Sequence, residues 1–199
     1  MGKKSLRFNF PDEWNVTRHY NRAFFGLTHL CEYIAKYFNK NGIDKTSMIE
    51  IGSYKGESAF IFAASKVFDQ IYCIDPHSGE EEAIQYFDDT WMEVRRDFYN
   101  NTRFFDNIHL TNSYSNKVSK LFKNESVDFV YIDGNHTKEA LTEDINLYLP
   151  KCKHFIGGHD YDRNSEQGNS FSVVDTVNEL LGEPDAVFTD GSWIKKIGT

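Results

Sequence analysis

From Ser47 onward the chain alternates short apolar runs with segments of helical spacing, and this alternation restricts the possible fold more than any other feature. The runs are SMIEIG (47–52), IYCID (71–75), NIHL (107–110), VDFVYID (127–133) and HFIGG (154–158). Helix-like stretches lie between them at 56–68, 80–100, 114–122 and 138–149, the last closed by Pro150. Near-continuous apolar strands separated by helices call for a mainly parallel sheet covered on both faces. After a polar loop come a helix over 172–182 and two further runs, AVFTD and SWIKKI. Two strands in direct succession predict an antiparallel hairpin at one edge. Ahead of the alternation, Ala23, Phe24, Leu27, Leu30, Cys31, Ile34, Ala35 and Phe38 recur at helical spacing, and Asn41-Gly42 supplies a stop. One amphipathic helix is expected over 18–40.

Composition narrows the setting. With 199 residues, 40% apolar and 26% charged, the chain can bury the core of one ordinary domain. No apolar run approaches the roughly 20 residues that cross a bilayer, and MGKKSLRFNFPDEW lacks the apolar core of a signal peptide, so the expected location is cytoplasmic with no membrane partner. Cys31, Cys73 and Cys152 are odd in number and irregularly spaced, which suits reduced, packed thiols. A net charge of −8 argues against nucleic acid, which is held through clustered Lys and Arg. Homo-oligomerisation stays open.

In open parallel sheets, ligands bind beyond the carboxyl ends of the strands, where strand order reverses. The first such end is EIGSYKGES (50–58). Gly52 allows a tight turn and Gly56 lets a helix start close to the sheet, but Tyr54 stands where the dinucleotide fingerprint needs its second glycine. The next strand ends in Asp75-Pro76, and a carboxylate there can accept both hydroxyl protons of a ribose. Together they suggest an adenosine-containing cofactor with no pyrophosphate to cradle; the alternative is that Asp75 only opens a turn.

The ordered set Glu50-x-Gly52-x-x-x-Gly56-x-Ser58, Ile74-Asp75-Pro76, Val127 to Gly134-x-His136 and Gly158-His159-Asp160-Tyr161 resembles the class I S-adenosylmethionine-dependent methyltransferases. More narrowly it is similar to the branch with macrocin-type and other sugar O-methyltransferases. The resemblance covers residues 45–197 and implies an α/β, Rossmann-like, doubly wound, seven-stranded, mostly parallel sheet with an antiparallel C-terminal strand, here preceded by an extra N-terminal helix. Residues 1–44 are then a helical lid or cap segment and 45–199 the methyltransferase domain, in one globular unit.

The resemblance also implies roles. Glu50, Gly52, Ser53, Tyr54, Gly56 and Ser58 line the methionine part of S-adenosylmethionine, Asp75 with Pro76 takes the ribose, and Asn112 and Ser113 lie near the adenine. Asp133 sits near the sulfonium and the acceptor. In several relatives, acids ending the fourth and fifth strands bind a divalent cation, which here implies Asp133 and Asp160, with His159 a further ligand and Mg²⁺ or Mn²⁺ the ion. Parallel neighbours lie about 4.8 Å apart, so side chains just past their ends can share one ion. The alternative is that Asp133 caps the following helix and Asp160 closes a turn. Asn135 and Tyr161 stand where some relatives carry further acids, which leaves His136 as the base for an acceptor hydroxyl, with Asp133 beside it.

A hydroxyl of a sugar, glycan or glycosylated metabolite is the expected acceptor, with Trp14, Tyr20, His77, Trp91 and Tyr161 available to stack on sugar faces. The N-terminal helix and Glu80 to Arg103 are the candidate lid. A small catechol-like phenol, a nicotinamide- or nucleotide-dependent enzyme, and a catalytically silent cofactor-binding domain are the alternatives.

Overall fold

The computed structural model describes residues 21–78, 90–162 and 168–198. In chain order the elements are α1 (Asn21–Asn41), β1 (Ser47–Ile51), α2 (Glu57–Ala64), β2 (Gln70–Ile74), α3 (Trp91–Thr102), β3 (Ile108–Thr111), α4 (Ser115–Val118), β4 (Val127–Ile132), α5 (Lys138–Tyr148), β5 (Cys152–Gly158), α6 (Gly168–Leu181), β6 (Ala186–Val187) and β7 (Trp193–Lys196). Single 3₁₀ turns follow α4 and α5.

One seven-stranded sheet runs in the order β3-β2-β1-β4-β5-β7-β6. β1 to β5 are parallel, and β7 runs antiparallel to both β5 and β6. The final hairpin is as expected, but β7 inserts between β5 and β6, so β6 forms the edge. β6 is also shorter than AVFTD suggests. Phe188 N–H donates to Ser192 O at 2.7 Å and Gly191 N–H to Phe188 O at 3.0 Å, so the turn takes the residues that would have extended the strand.

Alternation along β4 shows why both of its faces carry apolar residues; its one charged residue, Asp128, is buried and accepts from Ser47 N–H at 2.7 Å. Phe129 and Tyr131 join one core layer with α1, α2 and Phe98 of α3, while Val130 and Ile132 join the other with Leu141, Ile145 and Tyr148 of α5 and Val173, Val174 and Val177 of α6. α2 sits inside the first layer with every residue from Ala59 to Ala64 buried, which removes the polar face an outer helix keeps. It ends earlier than the 56–68 expectation because Lys66 turns left-handed at φ 56°, with its N–H on Ala63 O. The first layer centres on aromatic rings: Phe68 stacks on Phe129 at 5.8 Å, and Phe62 meets Tyr131 edge-on at 5.1 Å. Phe129→Ala is expected to cost about 3–5 kcal/mol, read as a lower midpoint in urea unfolding with unchanged slope.

From the N-terminal segment, α1 contributes Leu27, Leu30, Cys31, Ile34, Ala35 and Phe38 to this same layer. The rest of the expected lid, residues 1–20 and 79–89, lies outside the described residues, and with it Trp14 and Tyr20. The described part of the segment from 80 to 100 is α3, which starts at Trp91 behind a capping box between Thr90 and Glu93. No helix among the described residues is long and apolar enough to cross a membrane.

Candidate active site

Strand order reverses between β1 and β4, and the chain there is drawn as tight as glycine allows. Gly52 has φ 83°, and a Cβ on it would lie 2.1 Å from the carbonyl oxygen of Asp133. Backbone bonds hold both sides: Gly52 N–H donates to Ile74 O at 2.9 Å and Asp133 N–H to Ile51 O at 2.8 Å. Gly56, at φ 77°, lets the start of α2 approach α3, where a Cβ would stand 2.9 Å from Phe98 and Thr102. Gly52 thus serves the tight turn that the sequence pattern predicts, whereas the close approach at Gly56 is to α3 and not to the sheet.

Glu50, the penultimate residue of β1, is fully buried beside this turn. Burial raises its carboxyl to about 7, against the opposing pull of the Ser53, Ser58 and Cys73 side chains. Cys73 donates its thiol to Oε2 at 3.3 Å, whereas Oε1 and the Ser53 hydroxyl are buried near each other without an aligned hydrogen bond. Two orphaned polar atoms at a strand end point to a bound polar group. They fit the amino and carboxylate groups of a methionine moiety.

Asp75 ends β2 and is 7% exposed. Its Oδ2 accepts from Tyr54 N–H at 2.8 Å and its Oδ1 from His77 N–H at 2.7 Å. The acid therefore does open a turn through Pro76, and it also joins the glycine loop. One lone pair on each oxygen is left for ribose hydroxyls. Asn112, beyond β3, donates to Asp75 O at 3.0 Å, and Ser113 N–H turns back onto Thr111 O at 2.9 Å, so the residues expected near the adenine lie beside Asp75.

On the other side of Gly52, β4 and β5 pair in parallel with Ile132 opposite Gly158, which brings Asp133 next to His159 and Asp160. Asp133, His159 and Asp160 each offer a ligand atom within 4.8 Å of the others. Asp133 does not cap α5. Thr137 does, by accepting from Ala140 N–H, and this leaves the acid for the crevice. His136 joins the cluster: its Nε2 is 2.9 Å from Asp160 Oδ2 and 3.4 Å from Asp133 Oδ1. That nitrogen is buried and is not aligned for a directed hydrogen bond to either acid, so the attraction is that of an ion pair. His159 Nδ1 lies 3.2 Å from Asp160 Oδ1 and 4.0 Å from Asp133 Oδ1.

Burial works against a charge on either ring, but the carboxylates prevail. Asp133 and Asp160 raise His136 to about 10, and Asp160, Asp133 and Asp190 raise His159 to about 9. The two histidines in turn hold the Asp160 carboxyl well below its ordinary range. At neutral pH an imidazolium therefore stands between the two acids, and His136 has a proton to give up before it can act as a base. Ligand atoms about 2.1 Å from one small cation at right angles stand about 3 Å apart. His159 Nδ1 and Asp160 Oδ1 stand close to that spacing at 3.2 Å, Asp133 Oδ1 is wider at 4.0 Å from the ring, and two carboxylates with an imidazole suit Mn²⁺ better than Mg²⁺.

His77 and Tyr161 are not free to stack on a sugar, contrary to expectation. His77 is 6% exposed and bonded at both ring nitrogens, and Tyr161 packs with Trp193 and Val177 while its hydroxyl donates to Asn178 at 2.9 Å. Two acids outside every motif read from the sequence border the site. Asp190, in the β6–β7 turn, accepts from Ser192 N–H and Oγ–H, both at 2.9 Å; the Ser192 hydroxyl meets Tyr131 OH at 2.9 Å. Asp144 of α5 accepts from the Ser115 hydroxyl, has Oδ2 facing Gly134, and is raised by burial to about 6. Neither lies in a strand-end motif.

A family model described as a methyltransferase domain matches residues 49–161. The uncharacterized protein R132 of Acanthamoeba polyphaga mimivirus is 25% identical over 179 residues, 84% of this chain and 72% of that protein. Among solved structures, a Corynebacterium glutamicum protein superposes with a TM-score of 0.58 at 14% identity, over 90% of this chain and 82% of its own. The O-methyltransferase TomG of Streptomyces achromogenes, crystallised with S-adenosylmethionine, gives 0.57 at 11% identity, over 94% and 83%. Spermidine synthase of Thermotoga maritima gives 0.55 at 12%, over 87% and 60%, so the shared fold does not by itself fix the reaction. The family match spans the glycine turn, Asp75 and both strand ends of the histidine–aspartate cluster, and the chain belongs to the class I S-adenosylmethionine-dependent methyltransferases.

Proposed function

We propose that the protein is an O-methyltransferase whose acceptor is a hydroxyl of a sugar, a glycan or a glycosylated metabolite, with Asp133, Asp160 and His159 holding Mg²⁺ or Mn²⁺ beside it. The observation that carries this reading is the cluster of two acids and two imidazoles at the ends of β4 and β5, next to the Gly52 turn. S-adenosylmethionine supplies an activated methyl group, so the protein's task is to place and deprotonate the acceptor. An alcohol is a poor nucleophile until its proton leaves, and a hard cation lowers the pKa of an oxygen bound to it. The acids and His159 supply the oxygen and nitrogen ligands such a cation takes. Charge neutralisation at Asp133 and Asp160 would remove what keeps His136 protonated, leaving its Nε2 as the base nearest the acceptor.

The test is methyl transfer from labelled S-adenosylmethionine to a panel of free sugars, glycosylated small molecules and catechols, with Mn²⁺, with Mg²⁺ and after EDTA. An alkali-stable methyl ether on a sugar, formed with metal and at least about 100-fold slower after EDTA, is the expected result. Full activity in EDTA would remove the metal, label on nitrogen would remove the hydroxyl, and an ether formed only on catechols would replace the sugar by the phenol.

A further inference from the structure

His77 ties together three loops that the sheet itself leaves separate. Its Nε2 lies 2.8 Å from the Tyr54 carbonyl in the glycine loop, and its Nδ1 lies 2.9 Å from Asn112 Nδ2 in the loop after β3. A carbonyl only accepts, so the ring carries its proton on Nε2 and accepts at Nδ1. Asn112 fixes the same assignment, since its amide nitrogen also donates to Asp75 O at 3.0 Å. The His77 backbone N–H binds Asp75 Oδ1 at 2.7 Å, in a residue held left-handed at φ 41°. Phe98 of α3 closes the remaining side, with ring centroids 5.6 Å apart.

We infer that His77 is a positioning residue for the ribose of the methyl donor, acting through Asp75. The inference rests on the S-adenosylmethionine site described above and deepens it. Asp75 can accept two ribose hydroxyls only if its carboxylate is held at a fixed angle between the loops after β1 and β3. Its oxygens are held by Tyr54 N–H and His77 N–H, and both of those groups belong to segments that the imidazole clamps. Beyond Asp75 the ladder offers little support: the Asp75 N–H bond to Thr111 O is 3.3 Å long, and no pairing of β2 with β3 is found past Ile74 opposite Thr111. Without the ring, Tyr54 O and Asn112 lose their common partner, and the backbone donors that hold the acid are no longer tied to one another.

Calorimetric titration with S-adenosylhomocysteine tests this without any turnover. His77→Ala is expected to weaken binding about 10-fold or more, the scale of one charge-assisted contact. His77→Gln keeps a donor at the reach of Nε2 and is expected to bind within about threefold of wild type. In an Asp75→Asn background, His77→Ala is expected to add little, because the group it positions has already been changed. Equal losses in the two backgrounds, or wild-type affinity for His77→Ala, would overturn the inference. If the alanine variant does not fold, His77→Asn takes its place. It retains an acceptor toward Asn112 but cannot reach Tyr54, so it should bind at least threefold more weakly than His77→Gln, and equal affinity would be the overturning result. Failure of the wild-type protein to bind S-adenosylhomocysteine would instead remove the cofactor site on which the inference rests.

Discussion

Gly52→Ala is expected to abolish measurable S-adenosylhomocysteine binding, lower methyl transfer at least about 1,000-fold and reduce the melting temperature by several degrees. The first cost is conformational, since a left-handed φ of 83° opposes a Cβ by about 1–2 kcal/mol. The larger cost is steric. The new methyl would lie 2.1 Å from Asp133 O and 2.5 Å from its carbonyl carbon, and backbone atoms cannot rotate aside as a side chain does. Relief requires the ends of β1 and β4 to part, which strains the Gly52–Ile74 and Asp133–Ile51 bonds that hold them. Parting them moves Asp133 away from His159 and Asp160, so one methyl group damages the cofactor turn and the acidic cluster together. Calorimetry with S-adenosylhomocysteine and a thermal melt measure the two effects; near-wild-type binding would show that the strand ends yield more easily than this geometry implies.

Asp160→Asn should reduce metal-dependent methyl transfer by at least about 100-fold and change how stability depends on pH. In the metal-free protein His136 and His159 have folded pKa values raised from 6.5 to about 10 and about 9. A raised histidine contributes stability that is complete below its unfolded value and lost as pH rises through the folded one. The Asp160 shift is downward, so its contribution is present above its ordinary 3.8 and lost as pH falls through its folded value. Wild-type protein without metal is therefore expected to lose stability as pH rises from about 7 to about 10, and again in strong acid. The asparagine variant keeps the shape but not the charge, so both limbs should flatten. Mn²⁺ competes with the same protons and should bind more tightly as pH rises. Melting curves from about pH 2 to about pH 10, with Mn²⁺ compared above neutral pH, decide the matter; identical pH profiles for variant and wild type would show that the Asp160–histidine pairs contribute nothing to folding.

Much of the fold was legible because each strand is short, apolar and followed by a residue that only a strand end explains. VDFVYI is buried along its length, as its apolar residues imply although Asp128 interrupts them, and Gly52, Asp75 and Asp133 all follow the carboxyl ends of parallel strands. Boundaries were less legible wherever a local bond outweighed the pattern. Lys66 ends α2 early, and the turn at Phe188 to Ser192 shortens β6. The pattern also could not show that β7 would enter between β5 and β6, since both orders satisfy the same apolar alternation.

At the site, the sequence by itself determined the inventory: a glycine turn with Tyr54 in place of a second glycine, the acid Asp75 at the next strand end, and the Asp133, His136, His159 and Asp160 group. Tertiary structure decided how these groups are paired. Pairing of Ile132 with Gly158 brings ligand atoms of Asp133, His159 and Asp160 within 4.8 Å of one another, and it sets His136 between the two acids. It also moved His77 from a candidate sugar-stacking surface to the inside of a loop clamp, and brought Asp190 and Asp144 to the borders of the site. The physical reason is that strand-end motifs are encoded locally, by the need for a turn, whereas protonation and hydrogen-bond partners depend on neighbours that only the strand order brings together.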